Sequence, residues 1–417
     1  MSVENKSSKN LVLLILVASL GYFVDIYDLI LFSVIRVKSL NALGITDADE
    51  LLKKGTLLIN CQMFGMLVGG IIWGILGDKK GRLSVLFGSI ILYSLANIAN
   101  GFATNVEMYA IIRFIAGIGL AGELGAGITL VSESMSKENR GYGTMIVAGV
   151  GLLGALLAAF VGGSETFSWQ TAYFIGGGMG LLLLLLRVGI AESGMFKNIK
   201  DNQAERGNML MLFSDAKRFK KYLCCILIGI PLWYVVGILI TFSPEIGKEL
   251  HAPETLKAGV GILYCYTGIA IGDIVAGFLC QVLKSRKKVM FIFLLLTAVS
   301  VVVYLNMEGI TSQQFILLAL FLGFSSGYWA TFVTIASEQF GTNLRSTVTT
   351  TVPNFVRGSV VLVTLSFQAF KGSLGIINSA LTVGFISIVI ALIALSQLKE
   401  SFGKDLDYTE SNDGMIS

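Results

Sequence analysis

Six ionisable side chains interrupt long apolar runs of the chain, and they are the residues best suited to chemistry. A charge at the middle of a bilayer costs roughly 2.5–3.5 kcal/mol on insertion scales, so such residues are rare and usually serve the movement of ions, protons or solutes. The structural alternative is a set of ion pairs that hold helices together. The six residues are Asp25, Asp28, Arg113, Glu123, Asp273 and Arg357.

Asp25, Asp28 and Arg113 are the types of residue that could together bind and release a proton. The two aspartates are three residues apart, which puts them on one face of a helix. At a rise of 1.5 Å per residue, Asp25 and Arg113 both fall in the outer half of their predicted helices. One arginine facing two carboxylates leaves one without a partner, and burial beside a like charge favours its protonated form. We therefore predict that these three residues couple the protein to protons, with Glu123 as the next candidate.

Arg357 is the candidate for binding an anion. It lies midway along an apolar segment, three residues after Asn354 and four after Pro353. A proline inside a helix often kinks it, and a guanidinium binds a carboxylate through two parallel hydrogen bonds. We predict that Arg357, Asn354 and Asp273, which lies at a similar depth, contact an anionic ligand. The alternative is an ion pair between Arg357 and Asp273.

The pattern of residues does not favour an enzyme. The single histidine, His251, lies in a loop, and the five cysteines form no C-x-x-C pair. A hydrolase or transferase normally needs a nucleophile with its base, or a metal cluster. The spacing G-x-G-x-x-G from Gly149 to Gly154 indicates a dinucleotide site only after a strand. Here it lies in an apolar run and predicts close helix packing. We expect no enzyme activity, no cofactor and no metal.

The elements that carry these residues are predicted to be transmembrane helices. Of 417 residues, 54% are hydrophobic and only 14% are charged, whereas a soluble domain has about 25% charged residues. Apolar runs of about twenty residues, long enough to cross roughly 30 Å of hydrocarbon, recur from Asn10 to Leu398. The predicted fold class is all-α integral membrane, with twelve transmembrane helices at 10–34, 56–76, 83–101, 106–131, 141–163, 168–187, 222–243, 258–280, 288–306, 312–336, 347–369 and 374–397.

Lysine and arginine are concentrated in the loops on one side of these helices, which predicts that this side is cytoplasmic. Both termini then lie in the cytoplasm and His251 lies outside. A polar, basic stretch separates six helices from six. We predict a six-helix half at 1–195, a cytoplasmic connector at 196–221, a second six-helix half at 222–398 and a cytoplasmic tail at 399–417.

The two halves repeat one another at an offset of 205 residues, without a gap. The matches fall at equivalent ends of the fourth and tenth predicted helices. Parallel six-helix halves around a central site are an architecture of secondary transporters. The matched residues are Gly122, Ser132, Glu133 and Arg140 in the first half, and Gly327, Ser337, Glu338 and Arg345 in the second.

With these motifs the sequence resembles the major facilitator superfamily over nearly its whole length. Residues 74–82 read G-I-L-G-D-K-K-G-R, similar to the signature G-x-L-x-D-x-x-G-R, and residues 113–119 are similar to the R-x-x-x-G-x-G element. The resemblance implies that Asp78 and Arg82 belong to a cytoplasmic gate, with Asp78 near the start of helix 11, whose exposed N–H groups attract negative charge. We predict that the charges at the repeated helix ends join this gate: Glu133, Arg140, Glu338 and Arg345.

Within the superfamily the chain resembles two branches of proton symporters. Residues 119–123 are similar to the G-x-x-G-E stretch of metabolite:proton symporters. Residues 25–28 resemble the D-G-x-D element of aromatic-acid:proton symporters, with Ile26 in place of the glycine. The Tyr27-Asp28 pair also resembles the metabolite branch, which implies that Tyr27 contacts substrate. An arginine at the position of Arg357 resembles organic-anion carriers. Helix 7 lacks the paired glutamines of sugar porters, so sugars are disfavoured.

These observations predict a secondary active transporter, working by alternating access, that takes up a small organic anion with protons. One alternative is a proton-driven exporter or uniporter of the same fold. Another is a non-transporting membrane sensor, although the connector and tail are too short to form the soluble domain that a sensor usually carries. We expect a monomer in a bacterial inner membrane, with a small molecule, protons and lipids as partners. Nucleic acid is excluded because the basic residues form no stripe with stacking aromatics.

Overall fold

The computed structural model describes residues 3–80, 82–123, 140–192, 211–403 and 410, and no strand occurs in these ranges. The all-α fold class is therefore confirmed. Six helices make up the first half of the chain: α1 (Val3–Ala42), α2 (Ala48–Lys80), α3 (Arg82–Asn100), α4 (Val106–Leu120), α5 (Arg140–Gly163) and α6 (Trp169–Glu192).

Helices in the second half are more often interrupted. The segment predicted as helix 7 consists of two α-helices and a π-helical turn, and the segment predicted as helix 10 consists of two helices. The elements are α7 (Met211–Ser214), α8 (Ala216–Leu227), α9 (Ile230–Tyr234), a π-turn (Val235–Ile240), α10 (Ser243–Glu249), α11 (Ala258–Leu283), α12 (Arg286–Leu305), α13 (Ser312–Ser326), α14 (Trp329–Glu338), α15 (Thr342–Gly358) and α16 (Val360–Gln397).

Eight helical segments in the described part of the chain are long and apolar enough to cross a membrane. The last of them, Thr347–Gln397, has 51 residues, about 75 Å of helix, more than twice the thickness of the hydrocarbon core. Its path is broken at Gly375, which has a φ of 75° that suits glycine. Helical backbone overlaps each of the twelve predicted spans, and the count of twelve crossings stays a prediction.

Several helices begin at side chains that cap their first N–H groups. Asn105 accepts a hydrogen bond of 2.8 Å from the N–H of Met108 at the start of α4. Ser285 accepts one of 3.1 Å from the N–H of Lys288 at the start of α12. Thr311 forms a reciprocal capping box at the start of α13. These caps satisfy donors that have no partner within the helix.

Glycines let the helices of each half approach closely. A Cβ atom on Gly117 of α4 would clash with the backbone of α2 at Gln62, and one on Gly154 of α5 would clash with the backbone of α1. Within the G-x-G-x-x-G stretch, Gly151 and Gly154 pack closely on α1, whereas Gly149 has no neighbouring atom within 4 Å. Residues 323–327 have the spacing G-x-S-x-G, which marks a nucleophile only at a strand-to-helix turn. Here they lie at the end of α13, and Gly323 packs on the backbone of Cys265.

The halves meet mainly where α2 packs on α15 and where α5 packs on α11. Two carboxylates that follow α16 in the chain, Glu400 and Glu410, bind to other helices of the second half. Glu410 accepts hydrogen bonds from Arg218 Nε at 2.6 Å and from Lys221 Nζ at 2.9 Å. Glu400 accepts from the hydroxyl of Ser285 and from the first N–H groups of α12. Two residues after α16 therefore contact the beginnings of other helices, Glu410 that of α8 and Glu400 that of α12.

Candidate functional site

Asp25 of α1 and Arg357 of α15 form an ion pair between the two halves. Arg357 Nη1 lies 3.7 Å from Asp25 Oδ2, and both side chains are at most 1% exposed. Both carboxylate oxygens of Asp25, and Nε and Nη1 of Arg357, have no hydrogen-bond partner among the described residues. Burying polar atoms without partners is costly. The pair is therefore a charged centre with unused hydrogen-bonding capacity.

Two tryptophans from different helices flank this pair. The Cζ atom of Arg357 lies 6.0 Å from the ring centre of Trp233 and 5.8 Å from that of Trp329. The rings lie 6.5 Å apart at an angle of 73°. Such cation–π contacts favour a guanidinium that has been removed from water. Trp233 is buried, and its indole N–H has no partner in the described structure.

Helix irregularities bring the tryptophans to the pair. Trp233 lies in α9, one turn long, with Pro231 in its first turn and the π-turn after it. Trp329 is the first residue of α14, directly after the break at Gly327 and Tyr328. Irregular turns inside membrane helices recur at binding sites. Neither tryptophan was among the predicted site residues, although Pro231 and Gly327 mark both breaks.

Asn354, predicted to bind substrate, holds α15 to α4. Its Nδ2 donates to the backbone oxygen of Ala121 at 2.9 Å and to that of Thr350 at 3.1 Å. Its Oδ1 is buried and free of partners within the described residues. Asn354 also packs against Gly70 of α2, where a Cβ atom would lie 3.0 Å from Asn354 Cβ. It lies one turn from Arg357 and has one free acceptor.

Tyr27 and Asp28 face α6 and not Arg357. The Tyr27 hydroxyl donates to the backbone oxygen of Ala172 at 2.8 Å, and Asp28 lies against Gly176. Asp28 is 1% exposed, and neither carboxylate oxygen has a hydrogen-bond partner in the described ranges. Two side chains that are three residues apart on an α-helix point in directions that differ by about 60°. This rotation points Asp25 to α15 while Asp28 points to α6.

The expected contact of Arg113 with these aspartates is wrong, because its hydrogen bonds go elsewhere. Its guanidinium donates to the side chain of Gln62, to the hydroxyl of Tyr173 at 2.9 Å and to the backbone oxygen of Leu58 at 3.4 Å. It also lies 4.1 Å from the ring centre of Phe32. Since α4 turns this side chain between α2 and α6, where these acceptors lie, Arg357 is the arginine that pairs with Asp25.

Glu123 forms an ion pair with Arg187 inside the first half. Both terminal nitrogens of Arg187 donate to the carboxylate of Glu123, and both side chains are at most 4% exposed. Ser89 donates to the same carboxylate at 3.4 Å. Arg187 was not among the predicted site residues, because it is the last residue of the predicted span 168–187. A buried glutamate in a membrane helix requires such a partner.

Asp273 caps the broken helix and does not pair with Arg357. Its Oδ1 accepts a hydrogen bond of 3.0 Å from the N–H of Ala330 in the first turn of α14. The alternative ion pair between Arg357 and Asp273 is therefore wrong, since Arg357 lies against Asp25. The carboxylate of Asp273 instead accepts a hydrogen bond from the start of a helix, where the first N–H groups have no partner within the helix.

Arg36 forms a second ion pair between the halves, at one end of the helix bundle. Its Nη2 lies 2.6 Å from Glu245 Oε1 and 2.7 Å from Oε2, and the guanidinium lies 4.7 Å from the ring centre of Phe242. Arg36 Nη1 also donates to the backbone oxygen of Leu51 at 3.3 Å. Although it lies near the end of α1, Arg36 is fully buried. Arg36 was not among the predicted site residues, because it lies just beyond the predicted span 10–34.

Three further contacts join α2 to α16 at this end, which we call the Arg36 end. The two helices belong to different halves of the chain, so the Arg36 end is closed in this structure. The contacts are Lys371 to Asp49 at 2.6 Å, Gln368 to Thr56 at 2.9 Å and Thr364 to Asn60 at 2.5 Å.

Two of the predicted gate residues make contacts within the second half. Glu338 accepts hydrogen bonds from Arg286 Nε at 2.8 Å and Nη2 at 2.9 Å. Arg345 donates to the backbone oxygen of Ser337 at 3.2 Å. The other predicted gate side chains lie outside the described residues: Asp78, Arg82, Glu133 and Arg140.

Comparison with known families identifies the one to which this helical chain belongs. A family model described as Major Facilitator Superfamily matches residues 18–350. The chain belongs to this superfamily. It is a multi-pass membrane transporter of small molecules and not an enzyme, because its relatives in the superfamily are named as transporters.

Individual relatives share about a quarter of the sequence. The chain is 26% identical to the sialic acid transporter NanX of Escherichia coli (strain K12) over 386 residues, which cover 90% of this chain and 92% of that protein. It is 26% identical to the 3-(3-hydroxy-phenyl)propionate transporter of the same organism over 238 residues, 57% of this chain and 58% of the relative.

A solved structure of the superfamily confirms the fold. The crystal structure of a D-xylose-proton symporter matches with a TM-score of 0.70, covering 94% of this chain and 99% of the symporter. The two sequences are 18% identical. The match therefore concerns the arrangement of the helices.

Proposed function

We propose that this member of the superfamily is a proton-coupled symporter that takes up a small organic anion, whose carboxylate binds Arg357. The observation that carries the proposal is the Asp25–Arg357 pair, 3.7 Å apart, buried, and shared between the two halves. A ligand held there contacts both halves at once, as alternating access requires.

Coupling to protons follows from a competition for Arg357. Leaving a buried arginine without an anion is unfavourable, because its desolvation is then not compensated. When Asp25 takes up a proton it loses its charge, and a substrate carboxylate replaces it at Arg357. Nε and Nη1 of Arg357 have no hydrogen-bond partner among the described residues and can donate charge-assisted hydrogen bonds to that carboxylate. One proton and one anion are therefore loaded together.

The flanking side chains favour a ligand with a flat apolar body. Trp233 and Trp329 present ring surfaces beside Arg357, and the free indole N–H of Trp233 offers one directional donor. The free Oδ1 of Asn354 offers an acceptor one turn away. Two relatives are named as transporters of acids, one of sialic acid and one of 3-(3-hydroxy-phenyl)propionate, which supports an organic anion here.

The transport cycle uses the two six-helix halves, 1–195 and 222–398, as moving bodies joined by the connector 196–221. The Arg36 end is the outer side of a bacterial inner membrane, and both termini are cytoplasmic. Its ion pair and the α2–α16 contacts break when the site opens outward. Asp78, Arg82, Glu133 and Arg140 serve the opposite gate. Tyr27 and Glu123 stabilise the first half beside the site.

Uptake into proteoliposomes, with a panel of labelled carboxylates, amino acids and sugars, tests the proposal. We expect an acid-outside gradient to drive accumulation of a carboxylate. Asp25→Asn should still exchange that carboxylate across the membrane but should no longer concentrate it, because residue 25 can no longer exchange a proton. Accumulation of a neutral sugar, or undiminished accumulation by Asp25→Asn, would contradict the proposal.

Asp28→Asn provides the matched comparison, since it makes the same chemical change three residues further along α1. Asp28 contacts α6 and lies away from Arg357, so we expect its loss to affect coupling less than the loss of Asp25. An equal loss would mean that the two carboxylates share the transported proton.

A further inference from the structure

The break between α13 and α14 leaves backbone N–H groups that need hydrogen-bond acceptors within an apolar segment. Gly327 has φ −76° and ψ 64°, and Tyr328 has φ −131° and ψ 20°, so the helical hydrogen bonds stop within the apolar segment Ser312–Glu338. The first N–H groups of a new helix have no partner within it, and lipid offers none. Tyr328 supplies no side-chain cap.

Asp273 supplies the missing cap from a neighbouring helix. Its Oδ1 accepts the N–H of Ala330 at 3.0 Å. The approach depends on Gly272, because a Cβ atom there would lie 2.9 Å from the Cα of Gly327. A side chain at Gly272 or Gly327 would therefore push α11 away from the break. The backbone contact and the carboxylate act together at one point.

Ala330, whose N–H is capped, follows directly after Trp329, whose ring lies beside Arg357. Trp329 begins α14, and its ring centre lies 5.8 Å from Arg357 Cζ and 6.5 Å from the ring centre of Trp233. It also contacts Phe332 one turn further along, at 5.1 Å. A change in the direction of the first turn of α14 would therefore move the Trp329 ring relative to Arg357.

We propose that Asp273 is a positioning residue, which fixes Trp329 beside Arg357 by capping the broken helix and does not itself contact the ligand. The assignment of Arg357 to ligand binding rests on the proposed function, whereas the effect of Asp273 on Trp329 does not. The cap requires an acceptor and not a charge, since an amide oxygen accepts the same hydrogen bond. Asparagine should therefore replace Asp273, and alanine should not.

The test uses the fluorescence of Trp329 without any ligand. The chain has four tryptophans, and Trp73→Phe, Trp169→Phe and Trp233→Phe leave Trp329 as the only one. In this background we expect Asp273→Ala to shift the emission of Trp329 to longer wavelength and to increase its quenching by acrylamide. Asp273→Asn should leave both unchanged. Because no ligand is present, failure of the anion proposal would not affect the result.

Two outcomes would overturn the assignment. One is unchanged Trp329 emission and quenching in a folded Asp273→Ala protein. The other is an Asp273→Asn protein that behaves like Asp273→Ala, which would mean that the charge and not the cap matters. Thermal unfolding in detergent shows which variants fold. If Asp273→Ala does not fold, Asp273→Val fills more of the side-chain volume without an acceptor and gives the same reading.

Discussion

The guanidinium of Arg36 lies 2.6 Å from the carboxylate of Glu245, so a helix of the first half is tied to the second half by a buried ion pair. Removing one partner of a buried pair typically costs about 3–5 kcal/mol. We expect Arg36→Gln to weaken closure of the Arg36 end. A cysteine placed at the buried Ser243 should then react faster with a water-soluble maleimide, and gradient-driven uptake should slow.

The chain offers a matched control at the same end. Lys371 pairs with Asp49, whose side chain is 85% exposed, and exposed pairs contribute only about 0–1 kcal/mol. Lys371→Gln should therefore change labelling and uptake little, and the exchanged pair Arg36→Glu with Glu245→Arg should restore part of the closure. If Lys371→Gln and Arg36→Gln had equal effects, the Arg36–Glu245 ion pair would not be the contact that holds this end closed.

Substitution of Arg357 tests the class of substrate. Arg357→Lys keeps the charge but loses the planar fork, so affinity for the transported carboxylate should fall without being lost. Arg357→Ala should weaken binding roughly ten- to a hundredfold, the equivalent of about 1.5–3 kcal/mol for a charge-assisted hydrogen bond. Binding is measured by competition for uptake, or by calorimetry on purified protein.

Asp25 must be considered in the same experiment, because Arg357→Ala leaves its carboxylate stranded. The double variant Arg357→Ala with Asp25→Ala removes that stranded charge and should restore yield and thermal stability. It should not restore binding. Recovery of transport in the double variant would reduce Arg357 to a structural partner of Asp25.

The Glu123–Arg187 pair allows a stability role to be separated from a coupling role. Because the pair is buried, Glu123→Ala and Arg187→Ala should each lower thermal stability strongly, whereas Glu123→Leu with Arg187→Met should recover most of it. If Glu123 carries a transported proton, as the sequence predicted, the stable double variant will exchange substrate without concentrating it. Full accumulation by that variant would limit Glu123 to stability.

The sequence was sufficient to predict where the helices lie and that some of them carry buried charged residues. Both follow from the properties of the bilayer, which accepts apolar side chains and excludes unpaired charges. Runs of about twenty apolar residues have few alternatives to a membrane helix, and a charge within such a run must find a partner. The partners were harder to identify. Spacing gives the face of a helix on which Asp25 lies, but not the helix opposite it, so Arg113 was chosen where Arg357 is the partner.

Residues at the ends of helices were missed for a different reason. Arg36 and Arg187 lie at the limits of apolar runs, where hydropathy cannot separate a buried arginine from a solvated one. Long arginine side chains reach back along a helix, so their Cα positions misjudge the depth of the charge. The tryptophans of the site were missed because single aromatic residues in apolar runs carry no periodic signal.

Glu400 predicts a dependence of stability on pH. Burial raises its pKa, but hydrogen bonds from Ser285 and from backbone N–H groups outweigh this and lower the pKa to about 2. A lowered pKa contributes stability above the unfolded value near 4.5, and that stability is lost as pH falls toward 2. Glu400→Gln should therefore melt below the unmodified protein at pH 7. The difference should shrink between about pH 4.5 and pH 2 in thermal unfolding.

Labelling of single cysteines tests the orientation. Lys217 at the start of α8 and His251 after α10 lie at opposite ends of the segment Ala216–Ile240. We expect a membrane-impermeant maleimide to label a cysteine at His251 in intact cells, and one at Lys217 only after lysis. Labelling in the opposite sense would place the Arg36 end in the cytoplasm.

Two of the ion pairs described above, Asp25–Arg357 and Arg36–Glu245, cross from one half of the chain to the other and have a fully buried arginine. Expressed alone, the first half would carry Asp25 and Arg36 into the bilayer without Arg357 and Glu245. The second half would carry two equally stranded charges. We therefore expect that neither half folds stably by itself. The helices of the first half should reach full stability only after α10 and α15 have been inserted, because these helices carry Glu245 and Arg357.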